Sequence, residues 1–182
     1  MSATITLIEN DVQNPSIKSL AILLAILLSA CSPKFDWREV RGSDAPFTVL
    51  MPAKPATFSR EMQLNDVMLK MQMTAADAEG VSFAVGSAKV DDASKIPGVL
   101  EAMQKGMLNN IHGNIDGKVV RDSNPANKDL IAYGTLQNGQ PVKLVARFVS
   151  RGAWVYQAVI IGKEKALTPE VVDTFMTSFK IN

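Results

Sequence analysis

Few residues of this chain have side chains suited to chemistry. Its 182 residues hold one cysteine, Cys31, and one histidine, His112. One cysteine cannot form a disulfide within the chain, and one Cys with one His falls short of the four ligands of a structural zinc site. A Ser-His-Asp triad would need His112 as its base, and no G-x-S-x-G turn is present to carry the serine. His112 stands between Ile111 and Gly113 at the end of a helical stripe, where a cationic side chain complements the negative end of the helix dipole. The acidic pairs Asp91-Asp92 and Asp77-x-Glu79 fall at strand ends. They could serve a cation or a proton transfer, yet turns and helix starts favour aspartate for backbone reasons alone. No EF-hand spacing occurs. Lys89, Lys95, Lys105, Arg38 and Arg41 form no phosphate cradle, and G-x-x-x-x-G-K-[ST] is absent. Met62, Met68, Met71 and Met73 make a methionine cluster, to be read either as core or as an adaptable binding surface. The expectation is a protein with no catalytic residues, no cofactor and no metal.

Cys31 has a more telling context. It follows the apolar run of residues 20–28, with Lys18 just before the run and Ser29-Ala30 just after it. At about 1.5 Å per residue, a helix of this length covers less than half of a roughly 30 Å hydrocarbon core. A short apolar run with a preceding positive charge and following small residues is the pattern of a secretory signal. Its leading segment is unusual, since residues 1–16 carry Glu9 and Asp11 and no Lys or Arg. Leu28-Ser29-Ala30-Cys31 resembles the lipobox of bacterial lipoproteins. That resemblance implies a diacylglycerol thioether on Cys31, cleavage between Ala30 and Cys31, and acylation of the new amino terminus. A single acyl chain binds a membrane only marginally, whereas several chains make the attachment lasting. The residue after the cysteine, Ser32, is not the aspartate that the family associates with inner-membrane retention, so the implied address is the periplasmic face of the outer membrane.

Removing residues 1–30 leaves 152 residues, and takes one lysine and two acids from totals of 19 basic and 18 acidic residues. The remaining 18 basic and 16 acidic residues give a net charge of +2, with no clustered basic stripe. That argues against a nucleic-acid partner. The length suits one domain with its own core. The expected organisation is a signal peptide over 1–30, a lipidated terminus and short tether over 31–35, and a single domain over 36–182.

The elements that must position any site follow from hydrophobic periodicity. Strands are expected over 37–41, 47–51, 57–64, 67–74 and 81–90, the second ending at Pro52 because proline cannot serve a central ladder. Asn65-Asp66 marks a hairpin with one wet face. Ile96, Val99, Leu100, Met103, Met107, Leu108 and Ile111 then repeat at helical spacing. Ser94 is the expected cap and Gly113 the expected stop. Gly106 costs this helix about 1 kcal/mol against alanine, unless it marks close packing. Strands resume over 118–122, 130–136, 142–150 and 154–161, with a polar loop at Asn124-Pro125-Ala126-Asn127 and a hairpin turn at Asn138-Gly139. The last two strands are apolar on both faces and should lie centrally. Thr168, Pro169 and Glu170 announce a final helix. Strand runs broken by single helices predict an α+β fold with a mainly antiparallel sheet, in the order ββββ-α-ββββ-α.

Three stretches resemble the PsbP/Mog1-like fold, which includes small bacterial lipoproteins. They are Phe47-Thr48-Val49-Leu50-Met51-Pro52-Ala53-Lys54-Pro55, the stretch Gly152-Ala153-Trp154-Val155-Tyr156-Gln157, and Phe175-Met176-Thr177-Ser178-Phe179. The resemblance implies an α/β/α sandwich and carries over no catalytic set. The function expected from these readings is a periplasmic lipoprotein, held to the membrane by the lipid on Cys31, that binds an envelope protein partner or assists assembly. The alternative is a small-molecule or metal-binding module using a groove between sheet and helix.

Overall fold

Pro52 and Pro55 divide the strands into two sheets. The computed structural model describes residues 34–115, 120–121 and 128–182. The signal and lipobox readings, including Ala30 and Cys31, and the loop at residues 124–127 lie outside the described residues. Residues 34–182 form one compact unit. Its elements are β1 (Arg38–Arg41), β2 (Phe47–Met51), β3 (Ala56–Leu64), β4 (Val67–Ala78), β5 (Val81–Lys89), α1 (Ile96–Asn110), β6 (Asn114–Ile115), β7 (Val120–Arg121), β8 (Lys128–Thr135), β9 (Pro141–Arg151), β10 (Trp154–Gly162), α2 (Pro169–Ser178) and β11 (Lys180–Ile181).

The fold is α+β with antiparallel pairing throughout the described strands. The order differs from ββββ-α-ββββ-α. The five strands expected before α1 are all present, one more than that order counts; five strands, β6 to β10, separate the helices where four were expected, and β11 follows α2. The extra strands are short pieces whose hydrophobic period is too brief to read, such as Asn114–Ile115 and Lys180–Ile181. The large sheet runs β3-β4-β5-β10-β9-β8-β6, with β7 also paired to β8; the small sheet runs β1-β2-β11. As their two-sided apolar sequences require, β9 and β10 lie inside the large sheet.

Alternation along β5 and β10 sorts the core onto two faces. Val81, Phe83, Val85, Tyr156, Ala158 and Ile160 face one side, where they meet Phe47, Val49 and Met51 of β2 and Val171, Phe175 and Met176 of α2. Ala88, Val90 and Val155 face the other side and pack beneath Ile96, Val99 and Met103 of α1. A third cluster joins Ile111 to Leu130, Leu144 and Val159 on that same side. Phe35 and Trp37 extend the first cluster, each packing edge-on to Phe83. Buried side chains of this size each contribute about 1.5–3 kcal/mol.

The helix ends depart from expectation in instructive ways. Asp92, not Ser94, supplies the cap ahead of α1: its carboxylate accepts from the Ser94 amide at 2.9 Å and hydroxyl at 2.7 Å. At the far end His112, not Gly113, takes the left-handed position, with φ 45°. The His112 amide donates to Asn109 at 3.1 Å and the Gly113 amide to Leu108 at 2.9 Å. These two bonds make a Schellman cap. Gly113 is needed for a different reason, since a Cβ there would meet the Ile111 side chain at 2.6 Å. At α2 the expected start holds: Thr168 accepts from the Val171 amide, and Pro169 opens the helix.

Candidate functional site

The clearest concavity arises where α1 fails to cover the edge of the large sheet. Strand β3 is that edge, and only its last residue, Leu64, is buried. The expected hairpin with one wet face is therefore wet on both faces along most of β3. Helix α1 packs over Leu64, Leu69 and Met71 and leaves a groove of about 270 Å³ beside the rest of the strand.

Each wall has a local cause. Alternation places Phe58, Arg60, Met62 and Leu64 on one side of β3 and Met71 and Met73 on the same side of β4. The i, i+4 spacing of the helix turns Met103 and Met107 toward them, with Gly106 and Asn110 beside. The floor is a cross-strand row in which Phe58 opposes Met73, Met73 opposes Gly86, and Gly86 opposes Gln157. A Cβ on Gly86 would come within 2.8 Å of both the Gln157 Cγ and the Met73 Sδ. The glycine thus lets these two side chains meet across it, and the buried Gln157 amide donates to the Met73 sulfur at 3.7 Å. Phe58 stands 53% exposed at the rim.

Five methionines line this groove: Met62, Met71, Met73, Met103 and Met107. Three of the four residues in the sequence cluster are therefore gathered here. Met68 is not; it points to the opposite side of β4 and is 65% exposed. Sequence reasoning assigned Met103 and Met107 to the core, which holds for the buried Met103 although it also lines the groove, and it did not single out Phe58, Arg60, Gly106 and Gln157 as site residues. The available signal was Gly106. Nothing lies within 4 Å of the Cβ it lacks, so it marks open space and not close packing.

A second cavity, of about 230 Å³, lies on the other side of the sheet under α2. Asp129 and Arg147 form a two-pronged ion pair there, Nε to Oδ1 at 2.7 Å and Nη2 to Oδ2 at 3.0 Å. Arg147 Nη1 donates to the Met176 carbonyl at 2.9 Å. Both side chains are buried. The pair ties two strands to the end of a helix, which is a structural task. The sequence signal was an arginine inside the otherwise apolar run of residues 144–149.

The remaining candidates have local roles. His112 is exposed and serves the helix cap. Asp92 caps a 3-10 turn, and the Ser94 hydrogen bonds hold its carboxyl below the usual carboxylate range. Asp77 accepts from the Ser82 hydroxyl beside the turn in which Glu79 has φ 54°. Lys95 pairs with Asp66, Arg38 with Asp36, and Arg41 with Glu39. Among the described residues no three His, Cys, Asp or Glu side chains come together to hold a metal ion. No protein-family model matches the chain, and no curated protein matches it in sequence.

Proposed function

We propose that this chain is a non-catalytic, lipid-anchored binding protein of the bacterial envelope, with the methionine-lined groove as its binding site. The groove is the observation that carries this reading. It lies between sheet and helix, its walls are apolar and adaptable, and a few polar groups open into it, which is the usual make-up of a small-ligand site. The lipobox resemblance supplies the attachment through Cys31 and the periplasmic, outer-membrane address. Helices on opposite sides of an antiparallel sheet support the PsbP/Mog1-like reading of the domain.

The test uses the whole chain carrying Cys31→Ser and the neutral dye N-phenyl-1-naphthylamine. Fluorescence should rise as the dye enters the groove, and Gly106→Leu, which fills the space above the floor, should abolish the rise. A dye signal indifferent to Gly106→Leu would place binding elsewhere. Labelled palmitate tests the anchor: it should enter the natural chain in cells and not the Cys31→Ser variant.

A protein partner is the second reading, favoured by Phe58 and Met68 standing exposed on the β3–β4 hairpin. The two point to opposite sides of the sheet, so they form no continuous docking patch. That ranks this reading behind the groove.

A further inference from the structure

The groove's chemistry narrows the ligand. We propose that it takes a molecule with a single alkyl chain ending in a carboxylate. This inference rests on the groove being the binding site and adds the class of ligand.

Charge is the first argument. Arg60 is the one charged residue among the described residues lining the groove. It makes no ion pair with another described residue, and Glu61 beside it points to the opposite side of β3, in register with Lys70. A guanidinium beside an apolar trough matches a carboxylate fork. It repels a soft metal cation that the thioethers would otherwise suit, and a neutral hydrocarbon would leave it unused.

The floor supplies the second argument. The buried Gln157 amide gives one of its two N–H donors to the Met73 thioether, a weak acceptor. A carboxylate oxygen drawn in beside Met73 would be a better acceptor for that N–H.

Size and shape supply the third. Small-ligand sites commonly span about 300–1,000 Å³, and this groove, at about 270 Å³, has room for one chain and not for a two-chain lipid. Five unbranched thioether side chains suit a flexible chain better than a rigid ring system. Gly106 keeps the helix side open at a cost in helix stability, and no neighbour demands that glycine.

The experiment is calorimetric titration of the whole chain carrying Cys31→Ser with decanoate, decanol and decyltrimethylammonium. Decanoate should bind about tenfold or more tightly than decanol, the worth of one charge-assisted contact. Decyltrimethylammonium should give no heat. Arg60→Gln lies at an exposed position, leaves the fold intact, and should shrink the preference for decanoate over decanol to within about threefold. Equal affinity for decanoate and decanol, or a preference unchanged in Arg60→Gln, overturns the proposal. If the naphthylamine dye enters the groove but decanoate does not displace it, the ligand class is wrong while the groove reading stands. If the dye itself fails to bind, the groove reading falls.

Discussion

At the scale of single residues, two side chains stand where another would serve stability better. His112 holds a left-handed backbone at an exposed helix end, a conformation that costs an L-residue about 1–2 kcal/mol. Glycine fits that position without the clash, so His112→Gly should raise stability by about 1 kcal/mol, read as a higher midpoint in urea. Tyr156 is fully buried against Phe47 and Phe179, and its hydroxyl has no hydrogen-bond partner among the described residues. Burial pushes its phenol above the ordinary tyrosine value. The neutral phenol is therefore preferred in the folded state, while the unfolded chain ionises near pH 10. Its contribution is intact below that pH and fades as pH climbs through the raised folded value. Tyr156→Phe should unfold no more easily at neutral pH, since an unpaired buried hydroxyl costs about 1–3 kcal/mol. It should also lose part of the alkaline drop in melting temperature above about pH 10. An unchanged alkaline drop would show that Tyr156 contributes little to it.

At the scale of elements, α1 decides both what is buried and what stays open. Its apolar stripe was legible from Ile96 to Ile111 because helical spacing depends on the sequence alone. Its ends were less so. Asp92 and Ser94 are both good caps, and only the 3-10 turn at Ala93–Lys95 selects between them. Likewise, glycine after a helix is a strong stop signal, which concealed the left-handed role of His112. A groove between sheet and helix was expected only as an alternative and without its residues, because its place depends on how far α1 lies from the edge strand, a distance no local pattern encodes. Gly106→Ala isolates the element's own preference. With nothing within 4 Å of the new Cβ, it should stabilise the domain by up to about 1 kcal/mol, seen in thermal unfolding.

At the scale of the whole molecule, the buried ion pair holds one side of the large sheet to its helix. Arg147 reaches Asp129 on β8 and the Met176 carbonyl on α2. Asp129→Ala leaves a buried guanidinium without its counter-charge and should cost about 3–5 kcal/mol in denaturant unfolding. Asp129→Leu combined with Arg147→Met removes both charges and should recover only part of that loss, because the Met176 carbonyl then lacks its donor. Full recovery would mean that the carbonyl contact is worth nothing. The alternating and apolar stretches made an α+β fold readable from the chain. The second sheet was not readable, for Pro52 announces where β2 stops and not with which strand it pairs.

That small sheet also sets a timetable. Its middle strand, β2, meets β1 from its own neighbourhood and β11 from the far end of the chain, with Thr48 opposite Lys180 and Phe47 opposite Ile181. The cover is fastened by late contacts as well: the Leu50 amide donates to Ser178, and Arg151 donates to the Ile181 carbonyl. Phe47, Val49 and Met51 cannot reach their final burial until those last residues arrive. Contacts so distant along the chain close slowly. If the chain is exported, as proposed, and crosses the membrane unfolded, the same wiring acts as a delay, keeping the domain pliable until residues 180 and 181 have passed through.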